Sequence, residues 1–409
     1  MKNNGIHFGQ KLKTQRCTFL KAATNISIAV TGMLYRKLFG NSTLANKIIF
    51  FMIKNSALFA SFLFLYSTNI YSQNYIPFNN KDISYEGRIE YTTDAAELMW
   101  PGTSVNINFK GTGISGIFKD EDTSNYYNVI IDKNRIYKIQ FDTLKKIAVL
   151  ASGLSYGKHS LQLFKRTEWD KGKTWFYGFE TNPETKLLTP DKLPKRKIEF
   201  FGNSITCGYA IYDTAKDFPY GYYENNYDAY AAITARHFNA QYHCTSKSGI
   251  GIMVSWFPLI MPEMYDRLDP TDSTSKWDFS KYTPGLVVIN LFQNDAWIVT
   301  MPDNQQFKNR FGTKAPDELQ IVQAYKNFVQ TIRSTYPKAQ IICMLGSMDI
   351  TKKGSPWPGY VQKAVDQLHD KKIFTYFAPY KETYGHPKVK EQKVLADGLI
   401  KFIDTHIKW

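Results

Sequence analysis

The chain has 409 residues, of which 43% are hydrophobic and 15% aromatic, a composition typical of a globular protein. Its formal charge of +15 would suit a nucleic-acid-binding protein if that charge were spread along the chain. Nine Lys or Arg residues and no Asp or Glu fall within residues 1–73, however, which leaves +6 of the +15 for the remainder. That remainder has no basic block with interleaved aromatic residues, so we expect no nucleic-acid partner.

Residues 1–73 are predicted to be a leader or signal segment. A basic residue precedes an apolar core at about 57–66, which is shorter than the roughly 20 residues of a membrane-spanning helix. We therefore expect a secreted or periplasmic protein that begins near Asn74 and keeps no stable membrane anchor, which N-terminal sequencing would test. An uncleaved anchor over 48–66 is the alternative. Met52 heads the pattern, and we hypothesise that it is the true start codon.

The next region, residues 84–182, has the pattern of an all-β domain. Short segments such as SVNINFKG and HSLQLFKR alternate apolar and polar residues and are separated by Gly, Asp, Asn and Lys turns. No stretch of useful length has helical periodicity. The pattern predicts an N-terminal β-sandwich of jelly-roll type, followed by a proline-containing polar linker at 183–196.

From 197 to 409, apolar strand candidates alternate with helical stretches. This alternation of fully apolar strands with helices predicts an α/β domain, with a doubly wound parallel sheet covered on both faces. The predicted strands are 198–201, 241–245, 286–291, 340–345 and 373–377, and the predicted helices are near 226–238, 316–336, 358–370 and 387–407.

Chemically useful residues follow these strands. Ser204 follows the first strand, Gly249 and Gly251 the second, Asn294 the third, and His386 the last. In open parallel sheets, ligands bind beyond the carboxyl ends of the strands, so we expect these groups to meet at one edge. A hydroxyl, a glycine amide, a carboxamide and an imidazole at one edge suit acyl transfer.

Each group has a predicted role in that chemistry. An alcohol needs a general base at neutral pH, and His386 is the one histidine expected near Ser204. The amides of Ser204 and Gly249 (Gly251 is the competing choice) and the side-chain amide of Asn294 can stabilise the oxyanion. Asp295 is expected to support the neighbouring loop.

Four short blocks carry a family resemblance. GNSI, SG, QND and GHP, in this order, resemble the four blocks of SGNH (GDSL-type) hydrolases, which have a flavodoxin-like sheet. MWPGTSVNINFKGTGISGIF and LASGLSYGKHSLQLFKRTE resemble the jelly roll of carbohydrate esterase family 2, whose members deacetylate plant polysaccharides. The resemblance covers about residues 84–405. It implies the nucleophile Ser204, the oxyanion donors Gly249 and Asn294, and the base His386.

The chain departs from the family pattern at three positions. Asn203 stands where the first block usually has Asp, which keeps a turn former without its charge. Phe292 stands where the third block usually has Gly, and we expect it to narrow or line the acyl pocket. Thr383 replaces the usual Asp three residues before His386. The resemblance then implies a Ser–His dyad in which a backbone carbonyl holds the ring. A separate alternative is that Glu382 substitutes for the missing Asp.

Aromatic residues near the strand ends are expected to contact substrate. Trp297 is the first choice, because it lies three residues from Asn294, followed by Trp256 and Trp357. The chain has no cluster of His, Asp and Cys at ligand spacing, so we expect no metal and no cofactor.

The sequence thus favours a serine-dependent carbohydrate O-acetylesterase that acts on an acetylated polysaccharide or oligosaccharide through an acyl-enzyme. Two alternatives stay open. A lipase- or thioesterase-like esterase would use the same chemistry on longer acyl chains. A glycan-binding protein with a decayed site would explain the three departures without turnover. The sequence leaves the oligomeric state open.

Overall fold

A computed structural model describes residues 74–408. The predicted leader and the proposed start at Met52 lie outside the described residues, so both stay predictions. Among the helices of residues 74–408, none is long and apolar enough to cross a membrane.

Two antiparallel sheets of six strands each form the N-terminal β-sandwich. The strands are β1 Asn74–Pro77, β2 Ile83–Glu86, β3 Ile89–Tyr91, β4 Ala96–Leu98, β5 Ser104–Gly111, β6 Ile114–Asp120, β7 Tyr127–Ile131, β8 Arg135–Ile139, β9 Lys146–Ala151, β10 Gly157–Lys165, β11 Thr174–Thr181 and β12 Lys186–Leu188. In one sheet the order is β3-β4-β11-β6-β9, with β1 beside β11; in the other it is β12-β5-β10-β7-β8, with β2 beside β5.

Alternation along these strands places one apolar face of each sheet in the sandwich core. In β5, Val105, Ile107 and Phe109 are buried, while the residues between them are partly exposed. The stretch predicted as a linker is not wholly irregular, because β12 lies within it and pairs antiparallel with β5. Backbone groups beside an open sheet edge gain hydrogen bonds by pairing, which explains this addition.

The second part is a five-stranded parallel sheet. Its order, β14-β13-β15-β16-β17, is the flavodoxin-like order, which confirms the predicted fold class. The strands are β13 Arg196–Gly202, β14 Ala240–Ser246, β15 Leu286–Asn290, β16 Gln340–Leu345 and β17 Ile373–Phe377. The helices are α1 Ser204–Cys207, α2 Tyr230–His237, α3 Met261–Met264, α4 Gln293–Ile298, α5 Gln305–Phe311, α6 Glu318–Thr335, α7 Trp357–Asp366 and α8 Val389–His406.

Helices cover both faces of this sheet. Helices α2 and α8 pack on one face, where Tyr230 and Leu399 share a cluster with Val288. Helices α6 and α7 pack on the other, where Tyr325 shares a cluster with Ile289. Because all five strands run parallel, their carboxyl ends form one edge, and the loops that follow them meet there.

The sandwich and the parallel sheet pack together through buried polar contacts. Arg88, just before β3, donates to the Glu199 carboxylate of β13 at 2.8 Å, and both side chains are almost fully buried. Arg88 also donates to the carbonyls of Tyr265 and Arg267. The described residues form one compact unit.

Candidate active site

Ser204 lies directly after β13, at the start of the short helix α1. The capping role belongs to Asn203, whose Oδ1 accepts from the backbone N–H of Ile205 at 3.1 Å. Gly202 is needed for the turn, because a Cβ there would lie 2.0 Å from the Thr206 hydroxyl. Since Asn203 supplies the cap, the Ser204 hydroxyl is free for another function.

His386 lies beside Ser204. The Nε2 atom of its ring is 2.8 Å from Ser204 Oγ, although the two residues are 182 positions apart. His386 precedes Pro387 and helix α8, which fixes the backbone at this point. The two predicted reactive groups therefore meet at the edge expected from the strand order.

A carboxylate with no sequence signature, that of Asp217, holds the other side of the ring. Asp217, in the loop between α1 and α2, accepts from His386 Nδ1 at 2.8 Å and from the His386 backbone N–H at 2.6 Å. Lys388 donates to its second oxygen and to the carbonyl of Ala210. Burial opposes ionisation of Asp217, but the hydrogen bonds from His386 and Lys388 outweigh it and hold its pKa well below the usual range.

The alternatives considered for this position have other contacts. Thr383 bonds with the Glu391 carboxylate and accepts from Lys381 at 2.6 Å. Within residues 74–408, the hydrogen bonds of the His386 ring go to Ser204 and Asp217, so neither Glu382 nor a backbone carbonyl orients it. The expected dyad is thus a three-residue arrangement.

The glycine of the GHP block makes room for this carboxylate. Gly385 has a φ of +76°, and a Cβ there would lie 2.7 Å from Asp217 Oδ2. The ring of Tyr209 packs against His386 at a centroid distance of 4.7 Å. No sequence pattern points to Asp217, because the path of its loop, and not a fixed spacing from His386, brings the carboxylate to the ring.

Each of the three groups predicted to bind the oxyanion keeps a free N–H among the described residues. The side chain of Asn294 is fixed by Trp256 Nε1, which donates to Oδ1 at 3.0 Å, and by its own Nδ2, which donates to the Ile250 carbonyl at 2.8 Å. Among the hydrogen bonds of the described residues, the backbone N–H groups of Ser204 and Gly249 have no acceptor. Asn294 also keeps one N–H, so all three can bind an oxyanion.

The choice between the two candidate glycines follows from their amides. The Gly251 amide donates to the Ser255 hydroxyl at 2.9 Å, whereas Gly249 has a φ of +82° and its amide is free among the described residues. The free amide agrees with the predicted choice of Gly249 over Gly251. The left-handed backbone at this position explains the glycine.

Asp295 and Glu168 hold the loop that carries Gly249. Asp295 is fully buried and accepts from the amides of residues 252–254, and burial raises its pKa to about 6 although these amides oppose the shift. Glu168 follows β10 of the sandwich, and its Oε2 accepts from the backbone N–H of Ser248 at 2.7 Å. The sandwich thus contributes directly to the position of the oxyanion loop.

Two of the predicted substrate contacts lie in the hydrophobic core. Phe292 and Trp357 are buried, and the Phe292 ring packs between Tyr325 and Trp357 at centroid distances of 4.7 and 5.0 Å. Phe292 has a φ of +79°, and its ring belongs to the hydrophobic core on the α6–α7 face. The ring therefore packs against other core side chains, and its expected contact with an acyl group stays a prediction.

The other two tryptophans differ in exposure. Trp256 is 44% exposed and contacts Asn294, so it stays beside the candidate oxyanion donors. Trp297 is half-buried, and its Nε1 donates to Asp349 at 3.3 Å. Of the four predicted aromatic contacts, Trp256 is the one that is both exposed and hydrogen-bonded to a predicted oxyanion donor.

The chain is similar to known proteins in both sequence and structure. The family model "Carbohydrate esterase 2 N-terminal" matches residues 85–190. A solved family two carbohydrate esterase from Clostridium thermocellum, in complex with cellohexaose, is 34% identical, with a TM-score of 0.70 over 79% of this chain and 98% of that chain. The chain belongs to carbohydrate esterase family two.

Further relatives of this family member are enzymes by name. A cellulase/esterase, CelE, from Acetivibrio thermocellus is 34% identical over 81% of the chain, which spans only 40% of that longer protein. An acetylxylan esterase / glucomannan deacetylase from Cellvibrio japonicus is 24% identical over 83% of the chain and 92% of the relative.

Proposed function

We propose that this chain is a carbohydrate O-acetylesterase that removes acetyl groups from a plant-type polysaccharide or oligosaccharide. The observation that carries the proposal is the pair of 2.8 Å contacts that joins Ser204 Oγ, both nitrogens of His386 and the Asp217 carboxylate. Imidazole so placed can take the serine proton, and the carboxylate stabilises the imidazolium that forms. Family membership and the named activities of the relatives support the acetyl group and the polysaccharide as substrate.

The proposed reaction has two half-reactions. Ser204 Oγ attacks the acetyl carbonyl while its proton moves to His386 Nε2, and the oxyanion binds the amides of Ser204 and Gly249 and the side chain of Asn294. His386 then protonates the departing sugar hydroxyl, which leaves an acetyl-serine. Water attacks this ester with His386 again as base, and acetate leaves as Ser204 recovers its proton.

Acetate release from acetylated xylan and from p-nitrophenyl acetate tests the proposal. We expect Ser204→Ala to lower kcat about 1,000-fold or more, because Ser204 supplies the one hydroxyl at His386 Nε2 within residues 74–408. Ser334→Ala, an exposed serine of α6, is the matched control and should keep full activity. A Ser204→Ala protein as active as the unchanged chain would exclude this mechanism.

The two alternatives can be compared with the geometry. Burial of Phe292 removes the argument that this residue selects short acyl chains, so parallel assays with acetyl and octanoyl esters have to decide acyl length. A glycan-binding protein with a decayed site would not need the hydrogen bonds that join Ser204 to His386 and His386 to Asp217. The intact arrangement favours turnover.

A further inference from the structure

The loop that supplies Asp217 also presents aromatic rings to solvent. Phe218 directly follows Asp217 and is 40% exposed, and Tyr220 is 59% exposed. Their rings are nearly parallel, with an interplanar angle of 22° and a centroid distance of 5.7 Å. We name this pair, Phe218 and Tyr220, the aromatic ledge. Contiguous exposed apolar surface marks interaction sites more often than scattered single residues do.

The ledge is held in place from both ends of its loop. On one side, the Asp213 carboxylate accepts from the Phe218 amide at 2.7 Å and from the Ala215 amide at 2.8 Å. On the other side, Tyr222 packs edge-on against Tyr126 of the sandwich at a centroid distance of 6.0 Å. A fixed pair of rings loses little conformational entropy when a ligand binds.

The two carboxylates next to the ledge are already bound within the protein, and Lys216 is the exposed charge of segment 213–220. The Asp217 carboxylate is paired with His386 and Lys388, and the Asp213 carboxylate is bound by backbone amides. The apolar C–H face of a pyranose ring can lie flat on an aromatic ring while its hydroxyls stay in water. Tyr220 adds a phenolic oxygen that can bond with such a hydroxyl.

We propose that the aromatic ledge binds an unsubstituted sugar of the polysaccharide main chain while the acetyl ester of a neighbouring sugar lies at Ser204. This inference rests on the proposed function and identifies a second contact region for the same substrate. The ledge is continuous with the active site along the chain, because Phe218 directly follows Asp217, which contacts the ring of His386. Tyr209 packs on that same ring. The ledge makes the polymer, rather than the ester alone, the preferred substrate.

The test compares a polymeric with a small substrate. We expect the Phe218→Ala/Tyr220→Ala protein to lower the ratio of kcat/KM on acetylated xylan to kcat/KM on p-nitrophenyl acetate by about tenfold, the value of one good ring contact. Titration with cellohexaose should show a correspondingly larger Kd. Tyr156→Ala, an equally exposed tyrosine on the sandwich, is the matched control and should leave the ratio unchanged.

A second variant guards against a folding defect. Phe218→Leu/Tyr220→Leu keeps apolar volume but removes the flat faces, and it should give the same fall in ratio with an unchanged melting temperature. An unchanged ratio and an unchanged Kd for cellohexaose would overturn the ledge, as would equal losses on both substrates, which indicate that the rings only position Asp217. If the unchanged chain releases no acetate, the proposed function fails, and the cellohexaose titration alone decides the ledge.

Discussion

At the scale of single residues, Asp217 has a left-handed backbone, with a φ of +58°. Such a conformation costs a non-glycine residue on the order of 1 kcal/mol, and Asp tolerates it better than most residues. The charge-assisted hydrogen bonds from His386 and Lys388 are each worth about 1.5–3 kcal/mol, so they outweigh that cost. The site itself therefore maintains the loop conformation.

Asp217→Asn should lower kcat on p-nitrophenyl acetate by about 100-fold or more, with little change in KM. Asn keeps the size and the backbone preference, but it cannot stabilise the imidazolium that His386 becomes during the reaction. Steady-state kinetics of the purified variant measure the effect. Asp303→Asn, a fully exposed carboxylate, is the control.

The same variant has a second readout. The lowered pKa of Asp217 stabilises the folded state above about pH 3.8, the ordinary value, and this contribution is lost as the pH falls from there toward the folded-state pKa. Urea unfolding should therefore show a larger acid loss for the unchanged chain than for Asp217→Asn. Unchanged kcat together with equal acid losses would mean that Asp217 has no part in the site.

At the scale of elements, two effects at the start of α4 act in opposite directions on the stability of the fold: backbone strain and burial of a ring. Phe292 has a positive φ where the family usually has Gly, and its ring is fully buried against Tyr325 and Trp357. The strain costs about 1 kcal/mol, whereas removing a buried Phe ring costs about 3–5 kcal/mol. The protein should therefore be more stable with Phe than with Gly at position 292.

Phe292→Gly should lower the free energy of unfolding by about 2–4 kcal/mol, because the cavity costs more than the relieved strain returns. Phe292→Ala loses the ring and keeps the positive φ, so it should be less stable than the Gly variant by up to about 1 kcal/mol. Urea denaturation of both proteins measures the difference. A Gly variant at least as stable as the unchanged chain would contradict the assignment of the ring to the core.

At the scale of the whole molecule, the sandwich is part of the catalytic framework. Glu168 holds the amide next to Gly249, and Arg88 forms a buried ion pair with Glu199 of strand β13. These contacts tie the sandwich to the strand that leads to Ser204. We therefore expect both parts to unfold in a single transition.

Arg88→Met should lower the free energy of unfolding by about 3–5 kcal/mol, since it leaves the Glu199 carboxylate buried without its cation. Lys133→Met, which breaks the exposed pair with Asp191, should change it by less than about 1 kcal/mol. Chemical denaturation followed by circular dichroism and tryptophan fluorescence measures both variants. Equal effects of the two substitutions would show that the junction contributes no more than a surface ion pair.

The sequence by itself determined the strand–helix alternation and the residues that follow each strand. That information was enough to predict the parallel sheet and the meeting of Ser204 with His386, because the carboxyl ends of parallel strands share one edge. It also selected Asn294 and Gly249 as oxyanion donors, and the structure leaves N–H groups of both free among the described residues.

Only the tertiary structure decided which residues hold these reactive groups in position. Asp217 reaches His386 across 169 positions, and Glu168 reaches Ser248 across 80, through loop paths that no local pattern encodes. Phe292 was predicted at the pocket, yet its backbone conformation and its aromatic neighbours place it in the core. Local periodicity fixes which face of an element is apolar, whereas contacts between distant loops depend on how the whole chain packs.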